Sequence, residues 1–143
     1  MSEMCRKNIL ILEADRDVGE LFARAIEARR DCKCFLAEGE EEVTDLMQEI
    51  PFDLALLDLG IAIDGDFRLL KKIRRRFPEL TIIIAAYLHQ KETLNKALAL
   101  GAHGHIFKPI KLELFRKKIE EFFLICPAAV LSGCNRKVDT PVT

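Results

Sequence analysis

The sequence predicts an α/β domain in which a parallel sheet is covered on both faces by helices. Short unbroken apolar runs alternate with segments of helical period along most of the chain. Strands that alternate with helices join through right-handed crossovers, which makes the sheet parallel. The second observation is the stretch Asp53-Leu54-Ala55-Leu56-Leu57-Asp58, four apolar residues held between two aspartates and followed by a loop with Gly60, Asp64 and Gly65. An apolar run of that length, bounded by turn residues, fits a strand buried on both faces.

The elements follow in order. Asn8 to Leu12 is a first strand, and Asp15 is placed to cap the helix after it. Val18, Leu21, Phe22, Ala25 and Ile26 recur at the spacing of a helix that buries one face. Cys32 to Ala37 is a second strand, broken by Gly39. Glu40 to Glu49 is a second helix with Val43, Leu46 and Met47 inward, and Pro51 punctuates it before the central strand. Gly65 to Phe77 is a third helix, burying Phe67, Leu70, Ile73 and Phe77 and closed by Pro78. Leu80 to Ala86, β-branched and continuous through Ile82-Ile83-Ile84, is a fourth strand. Gln90 to Leu100 is a fourth helix stopped by Gly101, His105 to Phe107 a fifth strand, and Leu112 to Leu124 a fifth helix. The domain spans residues 8–125. Residues 126–143 lack a sustained period and read as a tail or linker stub, with no output domain after the fifth helix.

Bulk properties narrow the class. The chain has 143 residues, is half hydrophobic and carries a formal net charge of −1. That is one domain with material for a sizeable core, and it lacks the basic footprint expected of a direct nucleic-acid binder. No apolar run approaches the ~20 residues that span a bilayer. Met1 to Lys7 lacks the apolar core of a signal peptide, so the reading is cytoplasmic, off the membrane, with the five cysteines reduced. A nucleotide-binding enzyme is disfavoured. Glu13-Ala14-Asp15-Arg16-Asp17 after the first strand would repel a phosphate, and neither a dinucleotide fingerprint nor a Walker loop is present.

Ligands of open α/β sheets bind at the C-terminal ends of the strands. Strands one, three and five end there in Glu13, Asp58 and Lys108, and Lys108 precedes Pro109. Each residue has a bland reading: a loop-capping aspartate, a strand-end carboxylate, a solvated lysine. Their joint occurrence favours a site.

In Leu10-Ile11-Leu12-Glu13-Ala14-Asp15, Leu57-Asp58-Leu59, Asp64-Gly65, Gly101-Ala102 and Phe107-Lys108-Pro109-Ile110, the chain resembles the receiver domains of two-component response regulators over residues 8–125. The resemblance implies a flavodoxin-like doubly wound sheet of strand order 2-1-3-4-5. It implies that Asp58 accepts a phosphoryl group from a sensor histidine kinase or phosphotransfer protein, with Lys108 pairing a phosphoryl oxygen across a cis Lys108-Pro109 bond. Mg²⁺ would be held by Asp58 and the backbone carbonyl of Gly60, with Glu13 supporting it through water. Such a domain is a stoichiometric phosphoacceptor rather than an enzyme.

The chain departs from the family at the metal and the switch. Ala14 stands where a second acidic ligand is usual, and Asp15, the helix cap, lies one residue too far along. Mg²⁺ demands near-octahedral oxygen ligation, so the loss matters. Ala85 or Ala86 stands where the switch hydroxyl is usual, and His105 where a tyrosine or phenylalanine is usual. Two readings follow. In one, Asp58 is phosphorylated and signals to a downstream protein or a second copy through the face formed by the fourth helix, fifth strand and fifth helix. In the other, the domain is a phosphorylation-independent interaction or dimerisation module.

Cys32-x-Cys34 and His103-x-His105 could each chelate from one strand face, but that strand order puts them four steps of ~4.8 Å apart, beyond the reach of zinc bonds. The basic run Lys71-Lys72-Ile73-Arg74-Arg75-Arg76 reads first as a solvated face near a helix C-terminus, with docking of an acidic partner as the alternative.

Overall fold

A computed structural model describes residues 6–125. The tail reading for 126–143 and the leader reading for the first five residues lie outside the described residues. The chain runs through β1 (Lys7–Leu12), α1 (Arg16–Glu27), β2 (Cys32–Ala37), α2 (Glu40–Glu49), β3 (Leu54–Asp58), a one-turn α3 (Leu59–Ala62), α4 (Asp64–Arg76), β4 (Thr81–Tyr87), a 3₁₀ turn (Leu88–Gln90), α5 (Lys91–Ala99), β5 (Gly104–Lys108) and α6 (Leu112–Ile125). The sheet is parallel throughout, in the order β2-β1-β3-β4-β5. That is the doubly wound order expected.

Side chains alternate across the sheet, so each strand serves two cores. Ile9, Ile11, Leu54, Leu56, Ile83 and Ile106 face α1 and α6, where the rings of Phe22 and Phe115 stack with centroids 4.5 Å apart. Leu10, Leu12, Ala55, Leu57, Ile82 and Ile84 face α2, α4 and α5, packing against Val43, Leu70, Ile73 and Leu94. The whole of β3 is buried, as its unbroken apolar run requires. Asp15 caps α1 as expected, its carboxylate accepting from the Asp17 and Val18 amides at 3.0 and 3.3 Å.

Four local expectations are corrected. Leu21 does not join the inward face of α1: it is 41% exposed, because that face centres on Gly19, Phe22 and Ile26. The residues after Asp58 are not all loop, since Leu59 and Ala62 bury themselves within the short α3. The third helix does not begin as a regular helix at Gly65. Gly65, Asp66 and Phe67 take positive φ of 60°, 58° and 63°, and right-handed geometry resumes with Arg68. For a non-glycine residue that backbone costs about 1–2 kcal/mol. Burial of the Phe67 ring, about 1.5–3 kcal/mol by area, offsets it. Finally, the basic run is not uniformly solvated. Arg74 turns inward and donates to the carbonyls of Phe77, Pro78, Leu80 and Gly101, tying the end of α4 to the turn before β5.

Candidate functional site

The parallel register brings the C-terminal ends of β1, β3 and β5 to one edge, with Asp58 opposite Ala85 and Tyr87 opposite Lys108. There Glu13, Asp58 and Lys108 converge although they are far apart in sequence. The Lys108 ammonium donates to Asp58 Oδ1 at 2.6 Å and to Glu13 Oε1 and Oε2 at 3.1 and 3.3 Å. Its side chain is 5% exposed, as is that of Glu13, and Asp58 is 12% exposed. The Lys108-Pro109 bond is cis.

Each carboxylate has a second partner. Asp58 Oδ2 accepts from the Ile61 amide at 3.3 Å, so the aspartate caps α3 while its other oxygen holds the lysine. Glu13 Oε2 accepts from the Asp15 amide at 3.1 Å. The loop-capping reading of Asp58 thus describes one of its oxygens, while the other faces Lys108. Burial pushes the Lys108 ammonium toward its neutral form, but the hydrogen bonds and charges of Asp58 and Glu13 outweigh it and hold its pKa above the usual lysine value. Two carboxylates share one ammonium, leaving a local charge of −1 in a buried setting.

Ala14 is exposed beside Glu13 and brings no carboxylate, while Asp15 is committed to the α1 cap. Gly60 lies in the first turn of α3, where an added Cβ would meet Asp58 Oδ2 at 3.1 Å. Mg²⁺ is usually held by one or two carboxylates with water and phosphate oxygens completing its shell. Glu13 and Asp58, already gathered around one cation, fit that demand at its lower limit. Among the described residues, no group of three or more acidic, histidine or cysteine side chains could hold a metal.

Ala85 and Ala86 are buried and apolar. His105 is half-buried edge-on to Phe107 at 4.9 Å between centroids, and burial and the nearby Lys118 hold its pKa below the usual histidine value. His103 is spent on structure, its Nδ1 accepting from the Ile82 amide at 3.1 Å. Cys32 and Cys34 sit on β2, at the opposite sheet edge from β5. Burial pushes the Cys32 thiol up to about 11, and Cys34 is raised further by the same cause.

One residue at the site was not singled out from the sequence. The Tyr87 ring lies over the Lys108 ammonium, 4.7 Å from centroid to nitrogen. The signal was available: Tyr87 ends the fourth strand, beside the strand that ends in Lys108.

The response regulator receiver domain model matches residues 9–120. The chain is 31% identical over 122 residues to the probable C4-dicarboxylate response regulator DctR of Bacillus subtilis, covering 83% of this chain and 54% of that protein. It is 29% identical to the transcriptional regulatory protein CitT of the same organism, covering 80% and 51%. The chain thus spans about half the length of the curated relatives it matches. In fold it is similar to a two-component response regulator from Clostridium difficile, with a TM-score of 0.74 at 24% identity over 83% of this chain and 97% of that one. A sheet ordered 2-1-3-4-5 whose strand ends gather Glu13, Asp58 and Lys108, with this family match over most of its length, belongs to the response regulator receiver domains of two-component systems.

Proposed function

We propose that this receiver accepts a phosphoryl group on Asp58 from the phosphohistidine of a sensor kinase or phosphotransfer protein. The observation that carries the reading is the 2.6 Å contact between Lys108 Nζ and Asp58 Oδ1 in a pocket almost closed to solvent. A buried lysine aimed at a strand-end carboxylate, where α/β sheets bind ligands, has an electrostatic task that structure alone does not require.

In the transfer, an Asp58 oxygen forms the new P–O bond while the P–N bond to the donor imidazole breaks, its electron pair leaving with the imidazole. Lys108 offsets the charge that gathers on the phosphoryl oxygens, and Glu13 keeps the ammonium at the strand ends. Receiver domains typically bind Mg²⁺ at this position. Here Glu13, Asp58 and the Gly60 carbonyl would hold it, and its chemistry would be to neutralise charge between carboxylate and phosphoryl oxygens. Asp58 is consumed stoichiometrically, so the domain acts as a signalling acceptor.

Output would pass by protein contact, to a downstream protein or a second copy, through the face of α5, β5 and α6, where Leu114 of α6 is exposed, as is Leu88 in the turn before α5. A cytoplasmic setting suits this chemistry, and among the described residues no helix is long and apolar enough to cross a membrane. A second reading, a phosphorylation-independent interaction module, is favoured by Ala14, Ala85 and Ala86, which remove one metal ligand and the switch hydroxyl.

Intact mass after incubation with acetyl phosphate, with and without Mg²⁺, separates the two. The proposal expects one added phosphoryl group that depends on Mg²⁺ and is absent from Asp58→Asn. An unchanged mass, with beryllofluoride also failing to bind, would leave the interaction module.

A further inference from the structure

We infer that Tyr87 is a positioning residue that closes the site, its ring holding the Lys108 ammonium against Asp58 and Glu13 and covering the side open to solvent. The inference rests on the phosphoacceptor reading for its purpose, although its geometry stands apart from it. The hydrogen bonds of Lys108 Nζ go to Glu13 and Asp58, and the Tyr87 ring stands 4.7 Å from the same nitrogen. A cation within about 6 Å of an aromatic face is attracted by the ring quadrupole, and more strongly where water is excluded.

Burial matches that placement. Tyr87 is 42% exposed whereas the ammonium it faces is nearly closed to solvent, so the ring forms the surface and the lysine lies beneath it. The backbone that carries the ring is held on both sides, and a neighbouring ring stacks on it. Its strand pairs Tyr87 directly with Lys108, and the Tyr87 amide donates to Gln90 Oε1 at 2.8 Å. His89 stacks on the ring at 5.8 Å with an interplanar angle of 11°. With Ala85 and Ala86 bringing only methyl groups, Tyr87 is the β4 side chain that touches the charged cluster.

The test uses amine acylation of the whole chain at fixed pH, with modification of Lys108 measured by peptide mass relative to the exposed Lys117. Acylation needs no phosphodonor, so the role of Tyr87 is read even in a chain that takes up no phosphate. Tyr87→Ala should raise the relative rate at Lys108 roughly tenfold, in keeping with the loss of one desolvated cation–ring contact. Tyr87→Phe, which keeps the ring, should restore the slow rate. If Tyr87→Ala melts below the assay temperature, Tyr87→Leu replaces it, keeping bulk without an aromatic face and giving the same ordering. A Lys108 rate unchanged by loss of the ring, or a Phe variant as fast as the Ala variant, would overturn the inference.

Discussion

Two ion clusters sit at opposite ends of the same sheet. At the N-terminal ends of β1 and β2, Asp31 accepts from Lys7 at 3.1 Å and from Arg29 at 3.2 Å, and Arg29 reaches on to Glu120 at 3.3 Å. At the C-terminal ends, Lys108 serves both Asp58 and Glu13. The first cluster is partly exposed, with cations and carboxylates balanced, and a polar residue there needs no purpose beyond tying strands together. The second is buried and one positive charge short. A buried excess of carboxylate is costly in a fold and useful for a cation or an electrophile. Similar chemistry at the two ends thus has different meanings, and burial with charge balance tells them apart.

The largest effect expected from this difference is on stability. Lys108→Met strands two buried carboxylates and should cost about 3–5 kcal/mol in urea unfolding, whereas Lys7→Met should cost about 1 kcal/mol or less. Adding Glu13→Gln to Lys108→Met should recover part of the loss. Equal costs for the two lysines would erase the distinction. The next effect is on metal affinity. Ala14→Asp adds an acidic group beside Glu13 and should tighten Mg²⁺ binding by about tenfold or more in calorimetry, while Asp31→Asn leaves it unchanged.

The pH windows of the two clusters should also separate. Burial pushes the Asp31 carboxyl up, but Lys7 and Arg29 outweigh it and hold its pKa below the usual 3.8. A depressed acid stabilises the fold above its unfolded value, so the contribution of Asp31 is present above pH 3.8 and lost as pH falls through the lower folded value. Lys108 is raised, so its contribution is complete below the usual 10.5 and lost as pH rises through the higher folded value. Unfolding free energies should show the wild type and Asp31→Asn converging in acid, and the wild type and Lys108→Met converging in alkali. The smallest effect is from salt. Raising ionic strength from 0.1 to 1 M, which shortens screening from about 10 to 3 Å, should shrink the Lys7→Met difference and leave the Lys108→Met difference nearly intact.

Much of this was legible in the chain. Ile82-Ile83-Ile84 and the run before Asp58 are continuous and apolar because the strands are covered on both faces, so the sheet announced itself. Glu13, Asp58 and Lys108 stood out because ionisable residues closing buried strands have few structural reasons to be there. The misses have physical causes. Leu59 to Ala62 is too short to show a helical period. The left-handed trio from Gly65 to Phe67 is permitted by tertiary burial of one ring. Leu21 fell within a stripe whose buried part is narrower than its spacing suggests. Arg74 is cationic like its neighbours, and only the fold supplies the four carbonyls it meets. That Glu13 binds Lys108 directly, and that Tyr87 covers it, are cross-strand facts that follow from register rather than from local sequence.

The most direct test of Asp58 as phosphoacceptor is to trap the modified residue itself. After loading with acetyl phosphate and Mg²⁺, borohydride reduction converts an aspartyl phosphate to homoserine, which peptide sequencing by mass locates. Homoserine is expected at position 58 and at no other aspartate, and the corresponding longer alcohol, 5-hydroxynorvaline, at no glutamate, Glu13 included. Aspartate left intact at position 58 under conditions that load an established receiver, or reduction at another residue, would contradict that role.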